Sequence, residues 1–166
     1  MKTFYLTLTM IALLLLSTNA AQAQTTQPKL NQVELMKQFT GTWETIAGKD
    51  TTGFAEMKPY GTGFECSWKY ITKGKITSEG KQLYGYDKKI DKFIYVNMEK
   101  GKDIQIWAMW FTSNNKFIDI PYSYVANTDN AIFKFEGEIK SPDAWSETAF
   151  NNGKQAQTDN YTRVKK

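Results

Sequence analysis

The sequence of 166 residues contains no histidine and only one cysteine, Cys66. The absence of histidine excludes Ser-His-Asp and Cys-His catalysis and any metal site with imidazole ligands. A single cysteine excludes disulfides within the chain and zinc sites built from several thiolates. We therefore predict no metal and no cofactor. In an oxidising compartment the lone Cys66 thiol is safest when it is buried.

Leucine is scarce beyond residue 23, where it occurs only as Leu30, Leu35 and Leu83. Aromatic residues, by contrast, make up 14% of the chain and include five tryptophans. A dry, fully packed core would use more leucine, whereas buried Tyr and Trp need hydrogen-bond partners for their polar tips. The composition therefore favours a cavity whose walls are aromatic and carry hydrogen-bonding groups.

Charge of one sign is not clustered along the chain. The formal net charge is +4 at pH 7, and acidic and basic residues alternate in segments such as 87–92 and 99–103. Nucleic-acid binding requires basic residues grouped on one face. We therefore predict a solvated surface and no nucleic-acid partner.

The first 23 residues have the three-part layout of a secretory signal peptide. Lys2 gives a positive start, residues 4–16 are mostly apolar, and Ala21-Gln22-Ala23 is a small-x-small cleavage site. The apolar run is shorter than the ~20 residues that a membrane-spanning helix needs. We predict cleavage near Ala23-Gln24, a periplasmic or secreted protein without a membrane span after cleavage, a flexible start at 24–29 and a single domain at 30–166.

One helix is predicted, over residues 30–39. Asn31 can cap it, Glu34 stands where a capping box places an acidic residue, and Gly41 ends it. Beyond this glycine, turn signals recur every 11–15 residues, and Ile, Val, Thr, Tyr, Phe and Trp are dense between them. Ten strands are predicted, at 41–47, 53–58, 63–72, 75–86, 90–98, 103–111, 116–125, 131–139, 144–150 and 155–164.

Links this short can join only antiparallel neighbours. Closing the sheet removes the exposed edges that would otherwise invite self-association. The predicted fold is therefore all-β, an antiparallel up-and-down β-barrel of about 8–10 strands with a short N-terminal helix; a β-sandwich is the alternative. The segment 104–111 is apolar on both faces and is predicted to be covered on both.

The two ends of the predicted barrel carry the motifs of a known family. Gly41-Thr42-Trp43 opens the first strand directly after the helix, and Tyr161-Thr162-Arg163 lies in the last strand. A Gly-x-Trp opening with a terminal-strand arginine resembles the lipocalin-like (calycin) superfamily, most closely the exported, uncharacterised bacterial lipocalin-like domains. The resemblance implies that Gly41, Trp43 and Arg163 close one end of the barrel, with the guanidinium packed across the indole. The disulfide and the middle strand-turn motif of secreted lipocalins are missing, so no ligand-binding residues are carried over.

Alternation along the strands predicts which side chains point into the barrel. Because a barrel of eight or more strands can enclose a ligand, these side chains are candidates for a cavity wall. The cavity-lining candidates are Phe64, Trp68, Tyr70, Tyr84, Tyr86, Tyr95, Trp107, Met109, Phe133 and Phe135.

Three functions follow from this pattern. The first is an exported small-molecule binding protein that holds an apolar or amphipathic ligand in the barrel. The second is a protein-interaction or assembly factor that uses an apolar exterior patch, with Trp107, Met109 and Phe111 as its candidates. The third is a carboxylate-based hydrolase, which would need two carboxylates facing one cavity, at least one of them with a raised pKa. Its candidate carboxylates are Glu65, Asp119, Glu136, Glu138, Glu147 and Asp159, of which Glu136 and Glu138 are expected to face solvent.

Overall fold

The computed structural model describes residues 29–165. The predicted signal peptide at 1–23, and all of the predicted flexible start except Lys29, lie outside the described residues and stay predictions. No helix in the described part of the chain has the length and apolar character needed to cross a membrane.

Ten antiparallel strands form one closed sheet, in which each strand pairs with its neighbours in sequence and β1 pairs with β10. This is an up-and-down barrel, so the predicted fold class is confirmed and the sandwich alternative is wrong. The strands are β1 (Gly41–Gly48), β2 (Thr51–Tyr60), β3 (Gly63–Thr72), β4 (Lys75–Asp87), β5 (Lys92–Glu99), β6 (Gln105–Phe111), β7 (Lys116–Pro121), β8 (Phe133–Ser141), β9 (Ala144–Asn151) and β10 (Lys154–Arg163).

A short helix, α1 (Gln32–Met36), precedes the barrel and continues as a 3₁₀ turn, Lys37–Phe39. Asn31 caps it as predicted, since its side-chain oxygen accepts a hydrogen bond from the Glu34 backbone N–H at 3.2 Å. Met36 and Phe39 are 0% and 5% exposed. The helix therefore plugs one end of the barrel, which is called the closed end below.

Gln32 joins α1 to the barrel wall. Its side-chain Nε2 donates to the Phe111 carbonyl at 3.0 Å, and its Oε1 accepts from the Phe111 backbone N–H at 2.7 Å. The pairing of β5 with β6 ends at Phe93 and Met109. On the side of β6 that faces β5, the Gln32 amide therefore makes the two backbone hydrogen bonds to Phe111 that a neighbouring strand would otherwise make.

Trp43 and Arg163 meet beneath the closed end. The Arg163 guanidinium carbon lies 4.1 Å from the centre of the Trp43 ring, and the indole Nε1 donates to the Phe39 carbonyl at 2.7 Å. The same guanidinium donates to the carbonyls of Thr40 and Gln38, at 2.6 and 3.0 Å. These bonds satisfy backbone oxygens that the end of a helical segment leaves without partners.

Gly41 makes this approach possible. Its φ of +130° is a conformation that favours glycine, and a Cβ at this position would collide with the Arg163 guanidinium. A side chain at residue 41 would therefore both strain the backbone and displace Arg163.

Nine of the ten predicted strands match the observed bounds to within two residues at each end, and the strand predicted at 116–125 is four residues too long. β6 begins at Gln105. Ile104 and Ile106 are 67% and 50% exposed, so the predicted cover on the outer face extends only over Ala108, which is 0% exposed, and in part over Trp110. The strand predicted at 116–125 ends at Pro121, which has no backbone N–H to extend the ladder. The strand-like residues that follow form a 3₁₀ turn, Tyr122–Tyr124, which contacts β6.

Candidate ligand-binding cavity

The barrel encloses a cavity of about 410 Å³ between α1 and the opposite, open end. This volume lies within the range of small-molecule sites. Aromatic rings form much of its wall, because alternation turns every second residue of each strand inward. The aromatic lining residues are Phe39, Trp43, Phe54, Trp68, Tyr70, Tyr84, Tyr95, Trp107, Phe117, Phe133, Phe135, Trp145 and Tyr161.

Three side-chain amides line the cavity toward its open end: Gln82 on β4, Asn97 on β5 and Gln105 on β6. The Trp68 indole Nε1 donates to Asn97 Oδ1 at 3.3 Å, and the Trp107 indole Nε1 donates to Gln105 Oε1 at 3.4 Å. Asn97 also donates to Gln105, at 3.3 Å. The amides therefore orient the indole rings and leave polar groups at the open end.

The structure brings eight of the ten predicted lining residues to this one cavity. They are Trp68, Tyr70, Tyr84, Tyr95, Trp107, Met109, Phe133 and Phe135.

Phe64 and Tyr86 do not line the cavity. Both pack against Phe93, with ring centres 5.9 and 5.4 Å apart, and Phe93 is 0% exposed. The Tyr86 hydroxyl donates to Asp91. Alternation turns these two rings inward, but they fill the wall near the closed end, where α1 leaves no space.

The exterior apolar patch predicted from Trp107, Met109 and Phe111 is wrong. These side chains are 9%, 5% and 2% exposed and belong to the interior. The outward tryptophan of β6 is Trp110, and its ring is covered by the Lys92 ammonium group at 3.7 Å.

Asp119 on β7 places a carboxyl group in the wall of the cavity. It is 6% exposed, and its Oδ2 accepts a hydrogen bond from the Tyr95 hydroxyl at 2.6 Å. Burial raises the pKa of Asp119 well above its usual range, and the nearby charge of Glu147 raises it further. The Tyr95 hydrogen bond opposes this shift and is the smaller effect.

Glu147 on β9 is the second carboxyl group of the cavity wall. It pairs in register with Asp159 on β10 and with Gly137 on β8. Burial raises the pKa of Glu147 to about 7, and the Asp159 charge adds to the shift. Two carboxyl groups thus share one cavity, and both titrate above their usual range.

The other candidate carboxylates lie elsewhere. Glu136 and Glu138 on β8 are exposed, as expected. Glu65 forms an ion pair with Lys58 at 2.9 Å, and this contact lowers its pKa. Asp159 is partly buried and does not line the cavity.

Cys66 lines the cavity as a buried, apolar thiol. It is 5% exposed, and burial raises its pKa to about 12. The thiol therefore stays protonated and is a poor nucleophile near neutral pH.

Three buried side-chain atoms have no hydrogen-bond partner within residues 29–165, and all three belong to residues that line the cavity: Thr45 Oγ1, Asp119 Oδ1 and Trp145 Nε1. A buried polar atom without a partner is rare and calls for an explanation at the site where it occurs. In the same range, no three His, Cys, Asp or Glu side chains are grouped so as to hold a metal ion.

The sequence carried a signal for the two cavity carboxyls. Asp119 stands two residues after Phe117, and Glu147 stands two residues after Trp145. Alternation therefore places each acid on the same face of its strand as that aromatic residue. Thr45 stands two residues after Trp43 and carries the same signal, whereas Gln32 gives none, because its role depends on the position of α1 against β6.

Comparison of the chain with protein-family models and with curated proteins finds no match. The fold and the cavity therefore define the class: a closed, ten-stranded, up-and-down barrel with an aromatic cavity and a helix across one end. This architecture is compatible with a lipocalin-like fold.

Proposed function

We propose that this protein is an exported small-molecule binding protein that holds an apolar or amphipathic ligand in its barrel. The observation that carries the proposal is the cavity of about 410 Å³, walled by aromatic side chains. Apolar burial supplies affinity in such a site, and a few polar groups fix the orientation of the ligand. The amides at the open end and the two carboxyls in the wall are the groups available for that purpose.

We also propose membership of the lipocalin-like superfamily and a periplasmic or secreted location. Support for membership comes from the closed barrel and from the contact of Trp43 with Arg163. Support for export comes from the N-terminal sequence pattern alone.

Binding of the neutral fluorescent dye N-phenylnaphthylamine tests the binding function. Ala55 lines the cavity between Trp43 and Trp68 in register, and its neighbour Glu56 is exposed. The dye is expected to bind the wild type with a rise in fluorescence, and Ala55→Phe should weaken it about tenfold by filling the cavity.

Glu56→Phe is the matched control, because it adds the same ring one residue away on the outer face. This variant should bind the dye like the wild type, and circular dichroism checks that both variants are folded. A wild type that does not bind the dye, or two variants that lose affinity equally, would contradict binding in the cavity.

A carboxylate-based hydrolase is a second candidate function. The observation that favours it is that Asp119 and Glu147 face the same cavity with raised pKa values, as a general acid requires. Steady release of methylumbelliferone from its glycosides, lost in Glu147→Gln, would support this function. The absence of release from a panel of such glycosides would count against it.

A further inference from the structure

We propose that the cavity ligand is an amphipathic organic cation, whose ammonium group lies at Asp119 and Glu147 and whose apolar body lies among the aromatic rings. This inference rests on the binding function proposed above and specifies its ligand class.

The charges of the cavity wall favour a cation. Asp119 and Glu147 are acidic, and within residues 29–165 no lysine or arginine lines the cavity. Asp119 is 6% exposed, yet its Oδ1 has no hydrogen-bond partner in the described part of the chain. A buried carboxyl group is either protonated or, when ionised, paired with a cation. Since the wall supplies no lysine or arginine, a cationic ligand is the group that can pair with an ionised Asp119.

The aromatic rings favour the same ligand class. Phe135 pairs in register with Asp119, and Tyr161 and Trp145 stack beside Glu147 with ring centres 3.8 Å apart. The face of an aromatic ring attracts an ammonium group, and more strongly where water is excluded. Carboxyl groups set among aromatic faces therefore recognise charge and apolar surface together.

A neutral or anionic ligand fits less well. A hydrogen bond between ionised partners is roughly twice as strong as one between neutral groups, so an alcohol would gain less from the two acids than an amine. A carboxylate ligand would be repelled by the two acids, and the described cavity wall has no lysine or arginine to pair with it. The Trp145 Nε1 donor, which lacks a partner within residues 29–165, can bond an acceptor elsewhere on the ligand.

Proton linkage gives this ligand class a signature. Glu147 has a pKa of about 7, and a bound cation stabilises its ionised form. Binding of a cation should therefore release protons near neutral pH and tighten as the pH rises through about 7. The titratable groups that act on Glu147 or are acted on by it are all acids or phenols: Tyr70, Tyr84, Tyr95, Asp119, Asp159 and Tyr161.

Three probes that share an indole body test the proposal: tryptamine, tryptophol and indole-3-acetate, which are a cation, a neutral alcohol and an anion. Isothermal titration calorimetry of the wild type at pH 8 should give the tightest binding for tryptamine. Tryptophol should bind about tenfold more weakly, and indole-3-acetate more weakly still. Between pH 8 and pH 5.5 the affinity for tryptamine should fall about tenfold, while that for tryptophol stays level.

Neutral variants of the two acids locate the ammonium group. Glu147→Gln and Asp119→Asn keep the shape of each side chain, and each should remove most of the preference for tryptamine over tryptophol. Glu136→Gln is the matched control, because Glu136 is exposed on the outer face of β8, and it should leave the preference unchanged. The wild-type comparison at two pH values keeps the test valid if a cavity variant does not fold.

The outcomes separate this inference from the binding function on which it rests. Equal affinities for the three probes, or binding of N-phenylnaphthylamine without binding of tryptamine, would overturn the cation and leave the binding function in place. Failure of the wild type to bind either the dye or any indole probe would overturn both.

Discussion

Trp43 joins three parts of the closed end through one side chain. Its ring packs against the Arg163 guanidinium, its Nε1 donates to the Phe39 carbonyl, and its ring lies edge-to-face with Trp145, with ring centres 6.1 Å apart. The side chain is 3% exposed. Removing it would open a void, leave the Phe39 carbonyl without this hydrogen bond and remove the ring on which the guanidinium packs.

Trp43→Ala is expected to lower the free energy of unfolding by ~3–5 kcal/mol, as truncation of a buried aromatic side chain does. Urea unfolding followed by circular dichroism measures the change. Trp110→Ala is the matched control, because this ring lies on the outer face and is only partly buried, and it should cost less. A loss below ~1 kcal/mol for Trp43→Ala would show that the residue does not close the barrel.

At the scale of secondary-structure elements, α1 is held to the barrel by the paired hydrogen bonds of Gln32 to Phe111. The side chain is 5% exposed, so water cannot replace the lost bonds freely. We expect Gln32→Leu to lower the free energy of unfolding by ~1–3 kcal/mol, because the Phe111 N–H and carbonyl lose their partners.

Gln38→Leu is the control for this prediction. Gln38 lies on the same helical segment, but it is exposed, and within residues 29–165 its side chain makes one hydrogen bond, to the Asn114 carbonyl at 3.4 Å. This substitution should change the stability by less than ~0.5 kcal/mol. Equal losses in the two variants, measured by urea unfolding, would show that the amide pair does not hold the helix.

The ten strands could be predicted because each depends on local sequence. Period-two alternation sets which side chains face inward, and turn residues such as Lys73-Gly74 and Asn152-Gly153 separate the strands. The error at the end of β7 has the same cause, since Tyr122 and Tyr124 alternate with Ser123 as they would in a strand. Their contact with β6 depends on tertiary packing, which alternation does not contain.

The cavity could be predicted only in part. Alternation identifies the inward rings, but it does not distinguish Tyr84, which lines the cavity, from Phe64 and Tyr86, which pack near the closed end. That distinction depends on how far α1 enters the barrel. The helix position in turn depends on Gln32, whose partner is 79 residues away in sequence.

At the scale of the whole molecule, the two cavity acids oppose folding near neutral pH. An unfolded chain gives each carboxyl its ordinary pKa, whereas burial in the barrel raises both pKa values, and the charge of Glu147 adds to the shift at Asp119 as that of Asp159 does at Glu147. Folding therefore favours the protonated acids, and a bound cation would favour the ionised ones. Near neutral pH the ligand-free barrel is therefore expected to be less stable than a barrel in which the two acids are replaced by neutral amides. Binding of a cation would restore part of the lost stability.

The pH dependence of stability tests this directly through Glu147. Its folded pKa of about 7 lies above its ordinary value of 4.5, so between these pH values the folded protein holds a proton that the unfolded chain has released. The free energy of unfolding therefore falls as the pH rises from about 4.5 to about 7 and then levels, by a contribution on the order of 3 kcal/mol. Because a glutamine does not titrate, Glu147→Gln should gain stability over the wild type by about this amount at pH 8 and little at pH 4.5.

Urea unfolding of both proteins at the two pH values measures the difference, with Glu136→Gln as the exposed control. A difference that is the same at both pH values would show that Glu147 is solvated, and only Asp119 would then remain as a buried acid to recognise a cation.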